Sequence, residues 1–505
     1  MAKAGAMRLY RMQGACGLAF LMSLGAIAAS PAAAAGPSPA AGLSLEDAIK
    51  GTLRGDNINI NVQDEKVTSA EAAEKQARGQ FDWTVHSEGG WQRLYYPRAV
   101  YGVAPNLGVL TNSTQIGSAY YTTTGVGREF RNGIQINPGV TAYPGAGATA
   151  AQTLGLTQLR PSLGLKIPLI HGLSEEAYDA TEKAAKETLR GTRFDREYAI
   201  QHLVHDTVQT FWRCVASDEL AEVAAESERF AAKDSANLTQ LAKHGAIEPT
   251  VAQRATAISA DKHVLARQTA DSAQMCRRDL GLATTGSVGG VLPQAAGDLL
   301  NVDSYGPQLD SLTESAMLDL ALNNRPDLKA AQRYLAAATE AHAGAEDNTS
   351  ATLDVHVDYN TAFLSYTQSI ENNASEGAAA SAASAERQAL LTFRQLQTQA
   401  QVDIADTLRN LRQAYSDSIA VDKAEHQMEA ALADSEKMTK FGTSDHKDLL
   451  LAHDQLTDLQ NQLVTARLLF ASSLATLRLV TGTIDPDDES PARIADEFRT
   501  LPIRG

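Results

Sequence analysis

Between Phe441 and Val480 the apolar positions recur at alternating steps of three and four: Leu449, Ala452, Leu456, Leu459, Leu463, Ala466, Phe470, Ser473, Leu477 and Val480. This is a coiled-coil seam, with a mean period of about 3.5 residues. The stretch opens with Phe441-Gly442-Thr443-Ser444-Asp445, a helix break followed by a new start. Before the break, Ile404, Leu408, Leu411, Tyr415 and Ser418 mark a similar stripe on another long helix. Two long helices joined by a tight turn form a helical hairpin. A second hairpin centres on Gly245 and Pro249. The pattern predicts a helix from Ser174 to Lys243, on the order of 100 Å long, and a returning helix from Thr250 to Gly281.

The period changes to two in two places. Phe81, Trp83 and Val85 alternate with Asp82, Thr84 and His86, and Trp91 keeps the phase. That predicts a strand with one apolar and one polar face. A Gly-, Tyr- and Thr-rich stretch follows. A second strand then places Leu163, Leu165, Ile167 and Leu169 on one face, with Pro168 near its end, where a missing donor is tolerated. Further on, Leu353, Val355, Val357 and Tyr359 alternate with Asp354, His356 and Asp358, and a weaker return strand runs from Phe363 to Ile370. A helix predicted over residues 43–78 precedes the first strands, and Thr313-Glu314-Ser315-Ala316-Met317 matches its opening, Leu45-Glu46-Asp47-Ala48-Ile49. The order is therefore helix, β-hairpin, long helix, break, helix, and then the same again, an internal two-fold repeat. The first repeat spans residues 36–283, with a β-hairpin at 79–170 and a helical hairpin at 174–282. A Gly- and Pro-bearing linker covers 284–311, and the second repeat covers 312–482, with a short β-hairpin at 351–371 and a helical hairpin at 378–481. Residues 483–505 form a C-terminal tail.

Charge and the N-terminus set the compartment. Lys3, Arg8 and Arg11 precede an apolar run from Ala15 to Ala29 and then the small residues Pro31 to Ala35. The run is about 15 residues, short of the roughly 20 that a spanning helix needs, so residues 1–35 read as an export signal. Its removal takes three basic side chains from a chain whose formal charge is already −16. So acidic an exported protein is a poor nucleic-acid binder. No later segment reads as long and apolar enough for a membrane helix, so any crossing is expected to use β-strands.

This order resembles the outer-membrane efflux protein family, the TolC-type channel-tunnels, over about Leu43 to Gly482. The resemblance is carried by the two repeat openings, by Lys166-Ile167-Pro168-Leu169 before a long helix, by Asn323-Asn324-Arg325-Pro326-Asp327-Leu328, and by the breaks at Gly245 and Gly442. It implies an α+β, mainly α fold. Long antiparallel helical hairpins would form an α-barrel, and each protomer of a homotrimer would give four strands to one shared twelve-strand transmembrane β-barrel. It further implies an outer-membrane location in a Gram-negative bacterium, contact with outer-membrane lipid, and a helical portion in the periplasm. A periplasmic adaptor and an inner-membrane pump would dock at the helical end, as in tripartite efflux or type I secretion, with the channel itself passive. The family's pore constriction carries a carboxylate six residues after the second break glycine, which here is Asp448. The next acidic position is Leu451, the first hairpin's acidic position is Val251, and Ser444 stands where the family can place a basic residue.

Other chemistry is sparse. His202, His205 and Asp206 on one helix read as solvated face residues, and His446, Asp448 and His453 as polar residues at a hairpin tip. Gly286-Ser287-Val288-Gly289-Gly290 lacks the Lys-Ser/Thr of a phosphate-binding loop. No catalytic site, metal site or cofactor is expected. Cys214 and Cys276 are the only cysteines left after residue 35, and their sequence midpoint is Gly245. Residues equally far from the turn of an antiparallel hairpin lie at the same height, so the pair is expected to form a disulfide in an oxidising compartment. The rival class is an exported oligomeric coiled-coil structural protein or adhesin, which would share the helices and charge but would not need paired strands with aromatic residues. A periplasmic adaptor would carry one helical hairpin flanked by compact β-domains, which are not found.

Overall fold

The computed structural model describes residues 42–54, 57–102, 109–143, 159–170, 176–285, 292–440, 446–485 and 490–502. Residues 1–35, expected as an export signal, and Gly442 lie outside the described residues. The helix expected over residues 43–78 is two helices, α1 (Leu45–Thr52) and α2 (Ile58–Arg78). Each has its own cap: the Ser44 hydroxyl accepts from the Asp47 N–H, and the Asn57 side chain accepts from the Asn59 N–H. The apolar period runs through both, which hides the joint. Ser44 and Thr313 occupy the same capping role, since Thr313 accepts from the Ala316 N–H at the later opening.

Four strands follow where one hairpin was expected: β1 (Thr84–Gly102), β2 (Val109–Glu129), β3 (Gln135–Ala142) and β4 (Leu159–Pro168). Where it is described, the Tyr- and Thr-rich stretch is itself largely strand. Its alternation is interrupted by glycines at close cross-strand approaches, such as Gly125, where a Cβ would lie 2.7 Å from the His86 ring and 2.9 Å from the Pro138 carbonyl. β1 and β2 pair from Thr84↔Gly127 to Gly102↔Val109, while β3 covers β2 only from Thr122 to Glu129.

The helices after the sheet are long. α3 (Glu176–Lys243) has 68 residues and packs antiparallel on α4 (Pro249–Thr285), which has 37. The segment expected as a linker holds α5 (Gly306–Ser311) and sends Leu300, Val302, Tyr305 and Leu309 into the core. Then come α6 (Glu314–Asn324) and α7 (Pro326–Asp347), the latter opened by proline where its missing N–H costs nothing. β5 (Thr352–Val357) and β6 (Ala362–Thr367) are short. α8 (Asn373–Lys440), again 68 residues, and α9 (His446–Val480), of 35, form the second long pair. α10 (Pro491–Glu497) follows.

All six strands form one antiparallel sheet in sequence order. The halves of the chain meet at β4 and β5, from Leu165↔Val357 to Pro168↔Asp354, and Lys166 pairs with Asp354 across them at 3.2 Å. The resemblance implied four strands per protomer; the described residues carry six.

The main core sits midway along the long helices. Val204, Phe211 and Trp212 of α3 meet Ile404 and Leu408 of α8 and Phe470 of α9. Leu45 and Ile49 of α1 close it from one side, and Ile494 and Phe498 at α10 from another. The expected tail is therefore packed structure. Full burial of six such side chains contributes about 1.5–3 kcal/mol each. The expectation that no later helix is apolar enough to cross a membrane is also corrected. Lys447–Val480 passes that test by length and composition, yet more than half of its apolar window is buried inside the fold. Its apolar character serves the core, where Leu474, Ala475 and Leu477 are covered on every side.

Candidate functional site at the helical breaks

The first break is built by Gly245. It takes a left-handed backbone (φ +72°), its N–H bonds the Ala242 carbonyl at 3.1 Å, and the Ala246 N–H bonds the Leu241 carbonyl at 3.0 Å. This double closure satisfies the carbonyls left free at a helix C-terminus, and Pro249 opens α4. Gly442, expected to build the second break, lies outside the described residues. α9 begins just after it, with Asp448 in its first turn, where the helix dipole favours a carboxylate. Asp448 is exposed. Leu451 and Val251, which replace acidic residues implied by the resemblance, are also exposed, so the carboxylates of this end are thinned.

The two hairpins touch just inside the breaks. The Phe230 ring of α3 stacks on the His453 ring of α9, with centroids 3.7 Å apart and planes 10° from parallel. Lys262 of α4 pairs with Asp454 of α9 at 3.0 Å. Next to them a groove of about 610 Å³ is lined by Lys233, Leu238 and Leu241 of α3, Glu436 of α8 and Leu449 of α9. Burial of His453 holds its pKa below the ordinary histidine value, against the pull of nearby carboxylates. His453 was visible in sequence as a tip residue; its partner Phe230 was not, because nothing local links positions so far apart in the chain.

Farther from the breaks, Cys214 and Cys276 face each other across the α3–α4 interface, with Cα atoms 5.3 Å apart and sulfurs at bonding distance. Both side chains are buried. Arg277 bonds Asp218 at 2.8 Å beside them. His202 and His205 share the Asp206 carboxylate, at 3.0 and 3.1 Å. His205 is not a solvated face residue: it lies at the α3–α9 interface beside Thr476 and Gln209. Among the described residues no group of three or more His, Cys, Asp or Glu side chains is arranged to hold a metal ion.

No protein-family model matches this sequence, and no curated protein matches it either. Solved structures do match. The outer-membrane channel CmeC of Campylobacter jejuni aligns over 90% of this chain and 89% of its own, at 13% identity and a TM-score of 0.64. The outer-membrane protein VceC of Vibrio cholerae aligns over 87% of this chain and 96% of its own, at 14% identity and a TM-score of 0.61. The open state of the MtrE outer-membrane channel of Neisseria gonorrhoeae covers 87% of this chain and 88% of its own, at 15% identity and a TM-score of 0.60. At such low identity the shared property is the backbone architecture: the chain has the fold of the TolC-type outer-membrane channels.

Proposed function

We propose that this protein is a passive outer-membrane conduit, one protomer of a homotrimeric channel-tunnel that works with a periplasmic adaptor and an inner-membrane pump in efflux or type I secretion. The observation that carries this reading is the union, in one chain, of an outward-facing apolar sheet with two 68-residue helices, each about 100 Å long. Val85, Trp91, Tyr120, Leu163, Leu364 and Tyr366 are exposed and, by the strand register, lie on one face of the sheet. An apolar sheet surface of this kind suits lipid and is unfavourable in water. The sheet of one chain leaves β1 and β6 as free edges. Open edges are excluded from the hydrocarbon region, so further copies must close the barrel. The helices, with their charged outer faces, extend into the periplasm, and the breaks near Gly245 and Gly442 form the end that meets the adaptor. Asp448 is assigned to the pore constriction and Cys214–Cys276 to a structural disulfide. No chemical step belongs to the protein; transport energy comes from the pump.

The rival, an exported coiled-coil scaffold or adhesin, leaves the apolar strands without a use. Membrane fractionation combined with chemical cross-linking separates the two. The expected outcome is a cross-linked trimer in the outer-membrane fraction. A soluble periplasmic monomer would rule the channel out.

A further inference from the structure

We propose that acidification loosens the joint between the two helical hairpins, with His453 as the group that takes up the proton. The joint is small and specific. Phe230 on α3 and His453 on α9 stack at 3.7 Å, and the Lys262–Asp454 pair ties α4 to α9 one residue farther along at 3.0 Å. Both rings are half-buried. A neutral imidazole lies face to face with a phenyl ring without needing water, whereas an imidazolium buried there loses solvation that attraction to the ring face only partly offsets.

Every packed element presents a charge to His453. Glu226 faces it from α3, Lys262 from α4, Glu436 from α8 and Asp454 from its own helix. The three carboxylates favour the proton; burial and the Lys262 ammonium oppose it, and burial is the largest influence. Asp454 is already engaged by Lys262, which blunts its pull. The net effect holds the His453 pKa below 6.5 in the packed joint. A histidine whose pKa is lowered by packing stabilises the packed state above its unpacked value and ceases to do so as pH falls through the lowered one. The joint is therefore firm at neutral pH and loosens on the acid side of about pH 6.5. It lies within the first turns of α9 after the second break, so its release frees that end of α9 from α3. If the channel reading holds, the helical end of the tunnel widens in acid; the loosening itself does not depend on that reading.

The test is a distance measurement. Spin labels at Leu241→Cys on α3 and Leu451→Cys on α9, both exposed positions, report the hairpin separation in the full-length protein, diluted with unlabelled chains. Between about pH 7.5 and about pH 5.5, the wild-type distance distribution should shift outward by several ångströms and broaden. His453→Phe keeps a stacking ring that cannot titrate, and its distribution should stay the same at both pH values. An unchanged wild-type distribution would overturn the proposal. So would a shift that survives in His453→Phe, which would assign the transition to another group, such as the His263–Glu228 pair of the first hairpin. Because the readout is a distance, a negative result is distinct from a failure to conduct ions.

Discussion

Gly482 ends α9 in the same manner as Gly245 ends α3. Its φ is +65°, its N–H bonds the Leu479 carbonyl at 3.0 Å, and the Thr483 N–H bonds the Arg478 carbonyl at 3.0 Å. The two glycines differ in what surrounds them. A Cβ added at Gly245 meets nothing within 4 Å, while one at Gly482 would lie 2.7 Å from the Arg325 N and Cα atoms and 2.9 Å from the Asn324 carbonyl carbon. The first position needs glycine only for its backbone angle, and the second also because the α6–α7 joint packs onto it. Arg325 makes that joint costly to move: it is buried and held by Asp327 in a bidentate pair. Gly245→Ala should therefore cost about 1–2 kcal/mol, and Gly482→Ala about 3 kcal/mol or more, since backbone must shift as well. Circular-dichroism melting of both variants checks the order. Equal losses would mean the close approach at Gly482 carries no weight.

At the scale of elements, the α3–α4 hairpin carries a covalent tie that the α8–α9 hairpin lacks among the described residues. A Cys214–Cys276 bond closes a loop with a sequence separation of 62 residues. In the chain-entropy account this is worth roughly 4 kcal/mol, less any strain. Alkylation of the denatured protein before and after reduction, read by mass, should label two thiols only after reduction, and Cys276→Ser should lower the melting temperature. Labelling without reductant would show the bond absent. The hairpins were the legible part of this fold. Their apolar period is sustained over many turns, their breaks carry glycine and proline, and symmetry about Gly245 paired the cysteines. β2 and β3 were not legible, because threonine, tyrosine and glycine on both faces erase the period-two contrast that marks a half-buried strand. The α1–α2 joint was hidden by an apolar period that runs through it, and α10 by its brevity. At the candidate site the break at Gly245 could be placed from sequence, but the Phe230–His453 and Lys262–Asp454 contacts could not. Such pairings are long-range packing, with no local signature.

For the whole molecule the governing facts are excess negative charge and an incomplete sheet. The chain's formal charge is −16, and carboxylates gathered around a symmetry axis concentrate cations. In a trimer three Asp448 side chains would share that position, with Leu451 and Val251 contributing none. Asp448→Ala is therefore expected to weaken block of planar-bilayer conductance by a multivalent cation. Unchanged block would place Asp448 off the axis.

The packing of α10 constrains how such a chain can be made. Phe498 and Leu501 share one core with Leu45 and Ile49 from the opposite end of the described chain, and the Tyr305 hydroxyl donates to the Arg499 carbonyl at 2.5 Å. A chain synthesised N-terminus first cannot finish this core until the α10 segment arrives. During that interval the long helices exist with their buried stripes open to water, and the strands have uncovered edges. Completion of the core is thus gated by the arrival of α10, and until then the chain needs protection from aggregation.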